Sequence, residues 1–278
     1  MLYKGKELES YKLGATDGDI GKIEDFYFDE SQFVVRYIVA DTRTWFFGGE
    51  VLLSPEAFQK VDPSDRIVHV NLTKDQIKDS PKPNQEQPIN RQFEKDLSDF
   101  HGWRYYWLSA GGAGAGYNTP GTGAPGPVVP VAPVPEEAGS HSQRNLDETV
   151  DETHEGYEEK ELEEHLQHEN SQLQSMDDLK GYEVHVKEGY VGKIDDMILE
   201  DGTWKIRYLV VDVGIGIDTK LVLISPDWVK EISWIDQTIT APLEHDLVEH
   251  APVFEEDQPL TREYEEKLYD YYNQQRYW

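Results

Sequence analysis

Cysteine is absent from all 278 residues, which removes disulfides, thiolate nucleophiles and cysteine-based zinc or iron–sulfur sites. Positive charge is scarce: 26 Lys and Arg stand against 55 Asp and Glu, a formal charge of −29. A surface with that field repels nucleic acid and anionic membranes, so neither is expected as a partner. No apolar run approaches the ~20 residues that cross a bilayer, and no integral membrane segment is expected. The opening Met1-Leu2-Tyr3-Lys4-Gly5-Lys6 has no apolar signal core behind its charges, so the expected location is the cytoplasm. P-loop, dinucleotide fingerprint, HExxH and serine-nucleophile patterns are also missing. The sequence therefore predicts no enzyme and calls for no cofactor.

What is present is repetition at one fixed offset of 171 residues, the signature to be sought before any local pattern. Gly21-Lys22-Ile23-Glu24-Asp25 matches Gly192-Lys193-Ile194-Asp195-Asp196, and Arg36-Tyr37-Ile38-Val39-Ala40-Asp41 matches Arg207-Tyr208-Leu209-Val210-Val211-Asp212. Without a gap, Val51-Leu52-Leu53-Ser54-Pro55 then falls on Val222-Leu223-Ile224-Ser225-Pro226, and Pro88, Arg91 and Trp107 fall on Pro259, Arg262 and Trp278. Residues 1–107 thus repeat as 172–278, which leaves 108–171 as a linker between two domains.

The linker begins as Gly, Ala, Pro and Val without a sustained period and turns strongly acidic after Glu136. Such composition predicts no packed core and a disordered chain. Its Gly111 to Gly116 run lacks the flanking strand, helix and lysine of a phosphate cradle. Of its four histidines only His165 and His168 are close, at i,i+3 beside Glu161, Glu164 and Glu169, a weak cation site at best if the chain is unfolded.

Inside a repeat, Val184–Val186, Tyr190–Leu199 and Lys205–Asp212 read as strands divided by turns at Lys187-Glu188-Gly189 and Glu200-Asp201-Gly202. The strand Val34–Asp41 puts Val35, Tyr37, Val39 and Asp41 on one face and Arg36, Ile38 and Ala40 on the other. Both faces are largely apolar, so both need cover: a barrel interior on one side, a helix, tail or second domain on the other. Ser54-Pro55-Glu56 and Ser225-Pro226-Asp227 read as capped helical turns, and Thr73 with Gln76 has capping-box spacing. The predicted unit is mainly β, with about five or six short strands and small helical turns.

Two further sets recur. Asp25, Arg36 and Asp41 repeat as Asp196, Arg207 and Asp212, and their retention suggests a structural ion network at the rim of a barrel rather than acid–base chemistry or calcium binding. Each repeat also ends in an aromatic tail, with Trp103, Tyr106 and Trp107 in the first and Tyr271, Tyr272, Tyr277 and Trp278 in the second. Rings of that number are costly to leave in water. They either pack back on a barrel or contact a partner.

The Gly21-Lys22-Ile23-Glu24-Asp25-Phe26 block, the Arg36-Tyr37-Ile38-Val39 strand and Val51-Leu52-Leu53-Ser54-Pro55, each with its second copy, resemble the PRC-barrel family. Members include the cytoplasmic part of the photosynthetic reaction-centre H subunit and the end of the ribosome-maturation protein RimM. The resemblance covers roughly 5–80 and 176–251 and implies two small, strongly bent β-barrels used as adaptor modules. The chain has neither the membrane helix of the former nor the preceding domain of the latter, so neither specific role transfers. Stand-alone tandem members are similar to stress-associated bacterial proteins. The expected function is therefore a non-catalytic protein-binding scaffold, with a protein partner, self-association or pairing of the two repeats open as ways of using it. The alternative is a small-ligand- or metal-responsive regulator.

Overall fold

The computed structural model describes residues 1–43, 49–84, 89–109, 172–214 and 220–278. The Gly-rich run at 111–116, the acidic stretch from Glu136 to Asn170 and the His165/His168 pair all lie outside them. In the first repeat the order is β1 (Leu2–Lys4), α1 (Gly5–Leu8), β2 (Lys12–Ala15), β3 (Gly18–Asp29), β4 (Val34–Asp41), β5 (Glu50–Leu53), β6 (Phe58–Asp62), β7 (Ile67–Val70), α2 (Lys74–Asp79) and α3 (Arg91–His101). The second follows as β8 (Leu173–Ser175), α4 (Met176–Leu179), β9 (Glu183–Val186), β10 (Gly189–Glu200), β11 (Ile206–Asp212), β12 (Leu221–Ile224), β13 (Glu231–Ser233), β14 (Thr238–Thr240), α5 (His245–Glu249) and α6 (Arg262–Tyr272). Among the described residues no helix is long and apolar enough to cross a membrane.

Local chemistry explains the turns. Ser54 and Ser225 accept the N–H of Glu56 and Asp227 at the start of 3₁₀ turns that carry Pro55 and Pro226 at their first position, where a missing donor is no loss. Thr73 and Gln76 form the reciprocal capping box. The tail helices α3 and α6 start on Asn90 and Thr261 side chains and end at left-handed Gly102 and Asn273, the conformation that turns the next N–H groups back onto the last carbonyls, as the Trp103 N–H on Ser98 and the Gln274 N–H on Tyr269.

The sheets depart from the barrel expectation. Each is a seven-stranded open sheet, with hydrogen-bonded order β5-β4-β3-β2-β7-β6 in one and β12-β11-β10-β9-β14-β13 in the other, and neither closes into a barrel. The end strands β5 and β6, like β12 and β13, share no pairing; only the short proline-bearing turn links them. The seventh strand explains the rest. β1 pairs with β10 through Leu2↔Glu200, Tyr3↔Leu199 and Lys4↔Ile198, while β8 pairs with β3 through Tyr27↔Ser175, Phe28↔Gln174 and Asp29↔Leu173. On the twelve-residue strand β3, β2 and then β8 occupy successive stretches of one edge. The edge position beyond β2 is thus filled by a strand of the other repeat, while the β5/β6 seam stays unpaired.

Bulges at Ile23/Asp25 and Tyr27/Phe28, repeated at Ile194/Asp196 and Ile198/Leu199, bend the long strands. One hydrophobic cluster runs through both sheets, from Tyr3, Leu8 and Phe28 to Met176, Leu179 and Tyr208. On β4, Ile38 and Ala40 face this core, while Tyr37 and Val39 are covered with Leu97 and Phe93 of α3. The tail helix therefore supplies the second cover that the two-faced strand required.

Candidate functional site

Two constellations appear twice, once per repeat. The first ties each tail to its own sheet. The buried Glu94 carboxylate accepts hydrogen bonds from the Tyr106 hydroxyl at 2.7 Å, the Tyr37 hydroxyl at 3.3 Å and Arg91 Nη1 at 2.9 Å. In the second copy Glu265 accepts from Tyr208 at 2.7 Å and Tyr277 at 2.9 Å, with Arg262 at 3.0 Å. Over the tail tyrosines lie Arg36, 4.2 Å from the Tyr106 ring centre, and Arg207, 4.1 Å from that of Tyr277, a spacing at which a guanidinium gains from the ring's negative face. Arg91 and Arg262 lie over Trp107 and Trp278 in the same way, at 4.6 and 4.2 Å.

The second constellation sits where the repeats exchange strands. The Asp25 carboxylate accepts the Ser175 hydroxyl at 2.6 Å and the Asp177 N–H at 3.1 Å. Asp196 accepts the Lys6 N–H at 3.1 Å. Each carboxylate thus holds the first turn of a helix that belongs to the other repeat, α4 and α1 respectively. The bulges described above re-aim these side chains off their strands and toward the incoming arms.

The recurring acids and arginines are consequently divided among separate sites. Arg36 lies 3.5 Å from Asp29, and Arg207 Nε donates to Glu200 at 3.0 Å; neither arginine is paired with Asp25, Asp41, Asp196 or Asp212. Asp41 binds Arg43 Nε at 2.9 Å, and this bond holds its carboxyl below the usual range. Asp212 accepts the N–H groups of Gly214 and Lys220. Among the tail aromatics, Tyr272 is buried against Trp228, the Tyr271 hydroxyl donates to the Leu247 carbonyl, and Trp103 stacks on His101. Trp278 stays 44% exposed, and in the other repeat's tail Phe100 and Leu108 are exposed as well.

Burial raises three of these carboxyls: Asp25 and Asp196 to about 6, and Glu94 to about 7. A folded pKa above the unfolded one means that the fold binds protons the unfolded chain does not, so their contribution is complete below the unfolded values and is lost as pH rises through about 6 to 7. The melting temperature is expected to climb as pH falls from 8 to 5. Relief of general charge repulsion adds to that slope; Asp25→Asn with Asp196→Asn should flatten it, and an unchanged slope would remove these two groups as its cause.

His245, Asp246 and Glu249 place ligand atoms within 4.8 Å of one another on α5, a cluster without a signal at the common offset, where its equivalents are Lys74, Asp75 and Lys78. The Glu94 and Glu265 clusters were also missed. Their signal was nonetheless present, since Arg91, Glu94, Tyr37 and Tyr106 each return at the common offset as Arg262, Glu265, Tyr208 and Tyr277.

A profile of the PRC-barrel domain matches residues 5–77 and again 175–246, just over half the chain. The chain belongs to the PRC-barrel family. PRC-barrel domains are generally non-catalytic, protein-interaction modules. The two matched stretches carry β2–β7 and β9–β14, with Tyr37 and Tyr208 among them, whereas α3 and α6, which bring Glu94 and Glu265 to those tyrosines, lie beyond the matched residues. Comparison with curated proteins finds no match.

Proposed function

We propose that this PRC-barrel protein is a cytoplasmic scaffold of bacterial stress adaptation that binds another protein through the outer ends of its two aromatic tails. In this reading residues 1–107 and 172–278 act as one body and 108–171 as the tether between its halves. The observation that carries it is the manner in which the tails are fixed: Tyr106 and Tyr277 donate to buried carboxylates, yet Trp278, Phe100 and Leu108 are left exposed. Fixed apolar side chains lose little entropy on binding, which suits them as anchors. With a chain charge of −29, the fitting partner is a protein surface with an apolar centre and a basic rim.

The test compares affinity capture from the native cell by the wild-type chain with capture by Trp278→Ala and Phe100→Ala variants whose melting temperatures match wild type. Loss of a salt-sensitive partner in the variants is expected, and an unaltered set of captured proteins would refute the tail surface. The rival reading, a metal-responsive regulator, has the His245, Asp246 and Glu249 cluster for support. That cluster lies on a five-residue helix with Asp246 exposed, a weak setting for holding a cation.

A further inference from the structure

The exchanged arms are related by a pseudo-twofold axis whose partners are 171 positions apart. Val34 and Lys205, each other's equivalents, form a β-bridge on that axis. On either side, the Val35 N–H donates to the Trp204 carbonyl at 2.9 Å and the Ile206 N–H to the Phe33 carbonyl at 2.7 Å, two halves of one symmetric motif. The Asp196 bond from Lys6 and the Asp25 bond from Asp177 are a second such pair. A twofold interface is self-complementary. By backbone geometry alone, a repeat could pair with a copy of itself as readily as with the other repeat.

Side chains on the axis remove that ambiguity. Glu9 and Lys180 are also equivalents, and they meet: Lys180 Nζ lies 2.7 and 2.9 Å from the two Glu9 carboxylate oxygens, with the side chains 20% and 19% exposed. A like-with-like pair would set Glu9 against a second Glu9, or Lys180 against a second Lys180, in a partly desolvated place where repulsion is poorly screened. Lys6 and Asp195 strengthen the choice against a pair of second repeats, because Lys6 Nζ binds Asp195 at 2.6 Å and its equivalent in the second repeat is Asp177. The arm surface therefore fits the other repeat.

We propose that this surface accepts the complementary repeat of a second copy of the chain as well as its own, so that two chains assemble by mutual exchange of Leu2–Leu8 and Leu173–Leu179, with Glu9 and Lys180 selecting the combination. Every contact at the axis is the same whichever chain supplies the arm. The first repeat of one copy pairs with the second repeat of the other, and the reverse, so the assembly closes as a dimer with no arm left over. The covalent connection favours pairing within one chain when the protein is dilute, and exchange between chains gains as concentration rises. This assembly does not depend on the tails binding another protein.

The lack of native cysteine makes a direct test possible. Leu2 and Glu200 are register partners, and the Asp201 N–H bond to the Met1 carbonyl marks them as a non-hydrogen-bonded pair, whose Cα atoms lie about 4.5 Å apart, within the span of a disulfide. Full-length Leu2→Cys and Glu200→Cys chains are unfolded together, refolded at high concentration and oxidised. A covalent heterodimer that reductant dissolves is expected, and neither chain refolded alone should give it. Placing Glu9→Lys on the first chain and Lys180→Glu on the second puts like charges on each chain's own axis, whereas exchange between them restores opposite charges at both axes; the heterodimer yield should rise by about fivefold or more. The Leu2→Cys/Glu200→Cys double variant should close its disulfide within one chain, which shows that the arm is seated. A closed double variant without heterodimer, a heterodimer yield indifferent to the charge exchange, or a double variant that fails to close would each overturn the proposal.

Discussion

Replacing Glu265 by leucine is expected to cost about 3–5 kcal/mol in denaturant unfolding, the range for removing one partner of a buried ionic cluster. Glu265 is 2% exposed and serves three donors at once, the hydroxyls of Tyr208 and Tyr277 and the guanidinium of Arg262. Leucine fills much of the volume but accepts nothing. The Tyr208 hydroxyl, on a fully buried ring, then has no acceptor from Glu265, while Arg262 is half-exposed and can turn to water. The tail should also loosen, because Tyr277 loses its carboxylate acceptor and Tyr277 and Trp278 keep ring stacking and the guanidinium groups of Arg207 and Arg262. Limited proteolysis should cut after Asn273 in the variant well before wild type. Glu265→Gln keeps one acceptor oxygen and gives up the charge opposite Arg262, so it should fall between the two. A loss below about 1 kcal/mol for the leucine variant would mean that the cluster contributes no more than an ordinary hydrogen bond.

Gly21→Ala is expected to be at least as damaging, at about 4 kcal/mol or more, or to prevent folding. An added Cβ at Gly21 would stand 1.9 Å from the Asp41 carbonyl oxygen, and its φ of +143° is one that side-chain-bearing residues rarely adopt. The obstruction is backbone, so no rotamer change relieves it, and β3 would have to leave β4 at the Lys22↔Asp41 pair. Gly192→Ala meets the Asp212 carbonyl oxygen at 2.3 Å and should behave alike. Gly181→Ala is the control. Its φ is +87° with nothing within 4 Å of the new atom, so only conformational strain of about 1 kcal/mol is expected. Chemical denaturation of the three variants separates the cases, and equal losses at Gly21 and Gly181 would dispose of the steric argument.

Both glycines open the blocks that revealed the duplication, which shows what kind of information the sequence holds. Strands with apolar periods, the Ser-Pro turns and the Thr73 capping box are local, and they lie in the structure where their residues predicted. Closure of the sheet was not legible, because it depends on which edges meet rather than on any strand's own pattern. β1 and β8 are three residues long and without a period; that each joins the other repeat's sheet is decided by pairing across the whole chain. The contacts of the recurring acids and arginines are hidden for a related reason. Retention of Asp25, Arg36 and Asp41 at the common offset is real, but a bulge turns Asp25 toward the arm, and Arg36 lies on the strand face that meets the tail. Repetition tells which residues matter twice, not which of them touch.

The arm exchange also bears on the order in which the chain is made. The first repeat leaves the ribosome with the β8 position on its β3 edge empty and with its own Leu2–Leu8 arm unseated, since both partners are encoded in the second. Leu173–Leu179 follows Trp107 only after a long further stretch of synthesis, a wait on the order of ten seconds at ordinary elongation rates. Folding of the first repeat can be completed only once Leu173–Ser175 and Gly189–Glu200 have been made, and a product truncated before Leu173 would carry a vacant edge and an idle arm for its whole lifetime.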